Sequence, residues 1–358
     1  MCIRDSFRLS TEQNELRELT ARILADQVTN ESQKAAAASE HGFDMALWRT
    51  LAETGIVGIA LPESVGGGGL GALELGVVLE EVGRATAPVP AFAVLVAGVA
   101  LRHFGALDHL EGVASGERIV TVALHEPVGS PHEPSATVSA DSLLSGQKIC
   151  VPAGTAASSF VVSTTDGVYV VAADAAGVVV ERQNTTSGIP DARVTFTNSP
   201  ATKLADRDGL NWLLDVATTG QCLLMSGVCQ RALALTAEYT KERVQFERQI
   251  ASFQAVSQRA GDSYINTEAV RLTAWQAVWR LSEGMPSSEQ VASAKFWASD
   301  GGLQVLHAAQ HLHGGVGVDR DYPLHRCFLW GKQIELTLGS TMPSLVRLGG
   351  LIANTPVA

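Results

Sequence analysis

The chain has 358 residues, 46% hydrophobic and 18% charged, the balance of a globular protein with a sizeable core rather than of a disordered one. Its 26 lysines and arginines against 37 acidic residues give a formal charge of −11, which argues against nucleic acid as a partner but leaves room for small phosphates held by a few donors. The five cysteines (Cys2, Cys150, Cys222, Cys229, Cys327) form no C-x-x-C pair, which fits reduced thiols and a cytoplasmic location. No apolar run of about 18 residues escapes a charge or a breaker, so no membrane span is expected.

Residues 1–6 carry one arginine and no apolar stretch; they are no signal peptide and are expected to be foreign to the fold. Ser10, with Gln13 three positions on, reads as a helix N-cap, and Leu16, Leu19, Ile23 and Leu24 follow at helical spacing. A helical segment with Trp48, Leu51 and Ala52 ends at Gly55, and Gly66, Gly67, Gly68 and Gly69 make a loop whose backbone can pass close to another group. Leu73, Val77, Val78 and Val82 mark a further helix stopping near Gly83, after which Pro88 and Pro90 lead into an apolar helix over 91–101. Near Glu117 the period changes. Short β-branched runs at 119–124, 160–163, 168–172, 177–180 and 192–197 predict a small antiparallel barrel or sandwich. Long helical stretches at 213–244, 253–281 and 287–313 then predict a four-helix bundle. The expected class is α+β, with an N-terminal helical domain over 7–116, a middle antiparallel β-barrel over 117–207 and a C-terminal four-helix bundle over 208–358.

Three segments could carry chemistry. The first sets Arg243, Phe246, Ile250, Phe253 and Gln254 at fixed spacing; a guanidinium fork suits phosphate oxygens as an ammonium does not, although a lone arginine at a helix end is usually just solvated. The second runs through His311, His313, Gly314, Gly315 and Gly317 to Tyr322 and Pro323, and a glycine triplet alone is usually a helix C-cap and turn. His307 and His311 lie one turn apart, but no carboxylate or cysteine is grouped with them, so no metal site is expected. The third segment holds His125, Glu126, Pro127, Gly129 and Ser130, with Gly146, Lys148, Cys150 and Pro152 further on.

Together these segments resemble the flavin-dependent acyl-CoA dehydrogenases over roughly residues 7–350. The resemblance implies that family's fold, FAD as cofactor, an acyl-CoA substrate and an electron-transfer flavoprotein as acceptor. In the family, the counterparts of Arg243 and Gln254 reach across a subunit interface to a neighbour's FAD, the arginine at its diphosphate. The glycines of the second segment lie against the adenosine-diphosphate half. The resemblance thus makes Arg243, Phe246, Gln254, His311, Gly314 and Gly315 the cofactor-binding candidates. Departures are equally specific: Glu247 replaces a glycine, His311 a glutamine, His125 a flavin-facing threonine, Cys150 a tryptophan and Pro152 a hydroxyl residue. The family's base is a carboxylate that takes the Cα proton while hydride leaves Cβ for the flavin. In many members it lies fifteen residues after the Tyr-Pro proline, a position that falls on Leu338, and a leucine accepts no proton under any tuning. The alternative location, on the first helix of the bundle, falls near Ala217. Asp215 is two residues away and faces elsewhere on a helix; Glu335, one turn from Leu338, is the better substitute, though it reads more simply as an exposed helical glutamate.

Motifs serving a neighbour's FAD persist while those serving the chain's own flavin are eroded. This resembles the non-catalytic partner chain of the α2β2 acyl-CoA dehydrogenases with which actinobacteria degrade steroid side chains. The expectation is therefore a subunit that completes the FAD site of a related catalytic chain. Its rivals are a self-sufficient homo-oligomeric dehydrogenase using Glu335 or Asp215, and a flavin-free scaffold of the same fold.

Overall fold

The computed structural model describes residues 9–354; residues 1–6 and their expected foreign origin lie outside that range. Five helices come first: α1 (Thr11–Gln27), α2 (Asn30–Ala38), α3 (Met45–Glu53), α4 (Ala72–Ala85) and α5 (Ala91–His103). The Ser10 hydroxyl accepts from the Gln13 N–H while the Gln13 side chain accepts from the Ser10 N–H, the reciprocal cap that the sequence spacing predicts. The glycine loop folds back on the segment before α4, where a side chain at Gly67 would collide with the Leu61 backbone.

Eight strands form the middle: β1 (Val120–Ala123), β2 (Thr137–Val138), β3 (Leu143–Pro152), β4 (Ser159–Thr164), β5 (Gly167–Ala172), β6 (Val178–Gln183), β7 (Asp191–Pro200) and β8 (Thr202–Ala205). They make two four-stranded sheets, ordered β1-β4-β5-β8 and β2-β3-β7-β6. The expected antiparallel pairing needs one correction: β1 runs parallel to β4, because the chain leaves the β1 edge, completes the β2–β3 hairpin in the other sheet and returns in the same direction.

Helices then return as α6 (Arg207–Glu242), α7 (Gln254–Ser282), α8 (Ser288–His313), α9 (Leu324–Leu336) and α10 (Thr341–Asn354). Helix α6 stops at Glu242, short of the expected 244, because a two-stranded hairpin, β9 (Val244–Gln245) and β10 (Arg248–Gln249), begins there. Helices α4 and α6 cross backbone against backbone: a side chain at Gly83 would strike the Leu224 carbonyl, and one at Gly227 the Glu80 carbonyl. Beside that crossing the buried Glu80 carboxylate accepts from Ser226 (2.6 Å), Gln230 (3.0 Å) and the Trp275 indole (3.2 Å). A buried carboxylate survives in the core only with this degree of donation. The result fixes α4 to α6 and α7, and with them the relative position of the two regions described next. Among the described residues, no helix is long and apolar enough to cross a membrane.

Candidate functional site

The sequence candidates fall into two regions of opposite character, one open and one closed. On the open side, the β9–β10 hairpin is shut by the Ile250 N–H donating to the Arg243 carbonyl at 2.9 Å. Its two turn residues, Phe246 and Glu247, sit at φ +52° and +62°, the left-handed pair that a tight two-residue hairpin requires. Glu247 therefore occupies, at a cost in strain, a backbone conformation suited to the family's glycine. The turn throws Phe246 outward to 88% exposure, with only an edge contact to Phe253 at 6.2 Å. The Arg248 guanidinium lies 3.9 Å from the Phe253 ring centre and is thereby occupied, whereas Arg243 and Gln254 are exposed at the facing ends of α6 and α7.

The end of α8 completes this surface. His313 is buried: its Nδ1 donates to the Ala309 carbonyl (2.8 Å), which leaves Nε2 to accept from the Tyr322 hydroxyl (3.1 Å), while its ring stacks on Tyr239 at 4.5 Å. These contacts explain why the His-x-His-Gly-Gly run and the Tyr-Pro keep their distance in sequence. His311 points the other way and is exposed. Arg259 of α7 donates to its Nδ1 at 2.6 Å; since a guanidinium cannot accept, the ring proton sits on Nε2, free to donate. Arg259 was not anticipated, as nothing in its spacing marks it off from a solvated helix residue. His307 instead meets the Phe328 ring edge, so the three histidines serve three separate contacts.

Gly314 has φ +59°, and a side chain placed at Gly314 or Gly315 would meet nothing within 4 Å. The fold itself does not require these two glycines to lack side chains for room, in contrast to Gly317, whose added Cβ would strike Gln310. Open space over two glycines, a free arginine, an amide and an imidazole N–H form a cradle and donor set that fit a dinucleotide diphosphate brought by another body.

The closed region lies where the chain's own flavin would be sought. His125, Cys150, Pro152, Asp191, Gln221 and Leu338 line a cleft of about 80 Å³, which shares Pro152, Asp191 and Gln221 with a second of about 110 Å³. Both fall well below the roughly 300 Å³ at which small-molecule pockets begin. Leu338 sits at φ +58°, unusual for a branched residue, and is held there from three sides. Its N–H donates to His125 Nε2 at 3.0 Å, and the carbonyls just before it accept from the buried Lys295 (Ile334, 2.6 Å) and from Ser299 (Glu335, 3.3 Å). Burial drops the Lys295 ammonium to about 8, and burial with the nearby Lys295 and Lys148 drops His125 to about 4.

Glu335 requires a correction. It is 8% exposed rather than solvated, because it turns inward to pair with Lys332 at 2.6 Å, and it lines neither cleft. Asp215 is also buried; it accepts from Ser288 at 2.6 Å and lies 3.7 Å from Arg347, tying α10 to the start of α8. The carboxylate that does line both clefts is Asp191, which the sequence presents only as the turn residue after Pro190. It forms no salt bridge among the described residues, and burial pushes its pKa up to about 7.

His125 makes a pH test. A neutral ring is needed to accept from Leu338, and the folded value of about 4 lies below the unfolded one near 6.5. The contact's stability is therefore complete above pH 6.5 and lost as pH falls toward 4, a loss of about 3 kcal/mol. His132, also lowered to about 4 by burial and by Arg347 and Arg207, acts in the same direction. Urea unfolding at pH 7.5 and 5 should show the part of that loss reached by pH 5, about 2 kcal/mol from each of the two histidines, with His125→Phe removing about half of the pH dependence. An unchanged slope in the variant would contradict the coupling.

Two family models match the helical regions of the chain, and whole-chain relatives cover 92% to 98% of it. Residues 10–110 match the family model described as acyl-CoA dehydrogenase, N-terminal domain, and residues 210–342 the one described as acyl-CoA dehydrogenase, C-terminal domain. The acyl-CoA dehydrogenase FadE27 of Mycobacterium tuberculosis is 39% identical, with 92% of this chain and 93% of that protein covered. Among solved structures, the Tcur3481–Tcur3483 steroid ACAD superposes with a TM-score of 0.92 at 45% identity, covering 96% of this chain and 98% of that one. The ChsE4–ChsE5 complex from Mycobacterium tuberculosis gives 0.92 at 36% identity, covering 98% and 100%.

Proposed function

This chain belongs to the acyl-CoA dehydrogenase family, and on that premise we propose that it is the non-catalytic half of a two-chain enzyme. It completes the FAD site of a related catalytic chain, and the pair desaturates a CoA thioester, passing electrons to an electron-transfer flavoprotein. The observation that carries the reading is Leu338 pinned in a cleft of about 80 Å³, opposite an open surface bearing Arg243, Phe246, Gln254, His311, Gly314 and Gly315. The Tcur3481–Tcur3483 steroid ACAD and the ChsE4–ChsE5 complex support the two-chain assembly, and the first also supports a bulky, steroid-bearing acyl substrate.

FAD, when bound, supplies the acceptor for the hydride leaving Cβ. This chain's residues bind and orient it: the Arg243 fork suits the diphosphate oxygens, His311 Nε2 and the Gln254 amide supply neutral donors, and Gly314 and Gly315 permit backbone approach. The carboxylate that takes the Cα proton is assigned to the partner. A second reading is favoured by Asp191, a carboxylate beside Leu338 without a salt-bridge partner among the described residues, which could serve a self-sufficient enzyme.

Purified alone, the chain is expected to carry no stoichiometric flavin and to leave acyl-CoA unchanged. Co-expression with a related chain that keeps the glutamate should yield a yellow, active complex. Turnover by the lone chain, abolished by Asp191→Asn, would replace this reading with the second. A complex without flavin absorbance would favour the scaffold.

A further inference from the structure

A larger cleft, of about 420 Å³, opens between α2, the β6–β7 loop and α9 and reaches Gln310 and Val318 on either side of the 311–317 run. Its lining includes Lys34, Arg320 and Arg326 and, among the described residues, no aspartate or glutamate. In a chain of net charge −11, three cations around one cavity without a lining carboxylate are a local reversal of sign. The three are not equally free. Lys34 is held by Asp321 at 2.5 Å, and Arg326 donates to the Asn30 side chain at 2.5 Å. Arg320 is exposed and has no salt-bridge partner among the described residues. His325 beside them is no acid at neutral pH: burial and the two arginines lower it, although its Nδ1 donates to the Tyr322 carbonyl at 2.7 Å.

Below this cationic rim the walls are apolar, formed by Phe328, Trp330 and Ile189. Trp330 and Ile189 also line the 110 Å³ cleft, so the apolar floor continues inward. The volume lies within the range of small-molecule sites. Cations at the mouth and aromatic side chains on the floor select for a molecule with one charged end. We propose that this cleft binds an amphipathic anion, its carboxylate or phosphate ester on Arg320 and its apolar body on Trp330 and Phe328. None of the residues assigned to FAD lines the cleft, and the site stands whether or not the two-chain reading does.

The test is calorimetric titration of the protein, in the assembly in which it purifies, with dodecanoate, dodecyl phosphate, dodecanol and free CoA. At least one dodecyl anion should bind at one site per copy of this chain, at least tenfold more tightly than dodecanol, and which anion binds more tightly separates a free acid from a phosphoester. Arg320→Glu, at an exposed position with no salt bridge to lose among the described residues, should weaken the anions tenfold or more and leave dodecanol unchanged. Trp330→Ala should weaken anion and alcohol alike. Equal affinity for dodecanol, unaltered binding in Arg320→Glu, no saturable binding, or displacement of dodecanoate by free CoA at equal concentration would each overturn the proposal. Flavin content, followed in the same samples, reports separately on the two-chain reading.

Discussion

Arg243→Gln, introduced into the assembled complex, will weaken FAD binding by about 100-fold, or about 3 kcal/mol. Arg243 is the exposed cation at the hairpin entrance that no carboxylate among the described residues neutralises, and its side chain is not stacked as that of Arg248 is. Glutamine keeps one amide donor but loses the charge, the fork and part of the reach, and at an exposed position it opens no cavity, so the loss reports the diphosphate contact. Because the position is exposed, the fold should melt within about 0.5 kcal/mol of the parent. Flavin release followed by fluorescence during dilution gives the affinity, and turnover at saturating FAD should return to near the parental rate. Arg248→Gln is the control and should change FAD affinity less than about threefold, since that guanidinium is spent on Phe253. Equal effects of the two substitutions would move the diphosphate away from Arg243.

The contrast between the open and closed regions gives this prediction its weight. On the open side, strained turn residues, an 88% exposed phenylalanine and glycines with nothing above them are unfavourable features for an isolated surface. Each becomes reasonable once another body covers it. On the closed side the reverse holds: Leu338 and its supporting contacts fill the space with the chain's own atoms. On the two-chain reading, the fold keeps one half of a cofactor site and has closed the other.

Much of this was legible in the sequence because it is local. The α1 cap, the three long helices of the C-terminal region and five of the eight strands follow from spacing of apolar residues and breakers. Strand β3 does not, because Gly146, Lys148 and Pro152 interrupt its alternation, and the lysine is fully buried rather than on the solvent face. The parallel β1–β4 pair is a matter of long-range topology that no local pattern encodes. At the site, the leucine at 338 was visible as an identity, but its fixation by His125, 213 positions away, was not. Glu335 misled because a helical glutamate is usually solvated, and an inward ion pair with Lys332 looks the same in sequence as an outward one. Asp191 was hidden by its setting: aspartate after proline reads as a turn, and only the pairing of Asp191 with Pro152 across β7 and β3 puts it in the cleft.

Glu126→Ala will destabilise the protein by about 3–5 kcal/mol, because it strands a buried ammonium. Lys148 is 0% exposed, and its Nζ lies 2.7 Å from Glu126 and 2.9 Å from the Ser163 hydroxyl. The same carboxylate accepts from the Ser135 N–H (2.7 Å) and the Ala136 N–H (3.0 Å), so it closes the loop that follows His125 onto β3 and β4. Burial lowers the Lys148 pKa despite its partner; on Glu126 burial works upward but is outweighed by Lys148 and Ser135, and the carboxyl falls. The lysine side therefore carries the desolvation cost, and removing its counter-charge exposes that cost in full. Lys148→Met should cost less, since Glu126 keeps its two backbone donors. The double variant Glu126→Gln with Lys148→Met should recover to within about 1.5 kcal/mol of the parent, the tolerance expected when a buried pair is replaced by a neutral one of similar size. Urea unfolding of the four proteins decides the matter, and a loss below about 1 kcal/mol in Glu126→Ala would mean that water reaches Lys148. Through the loop the effect extends to His125, so Glu126→Ala should also loosen Leu338, read as faster amide exchange there than the global destabilisation alone produces.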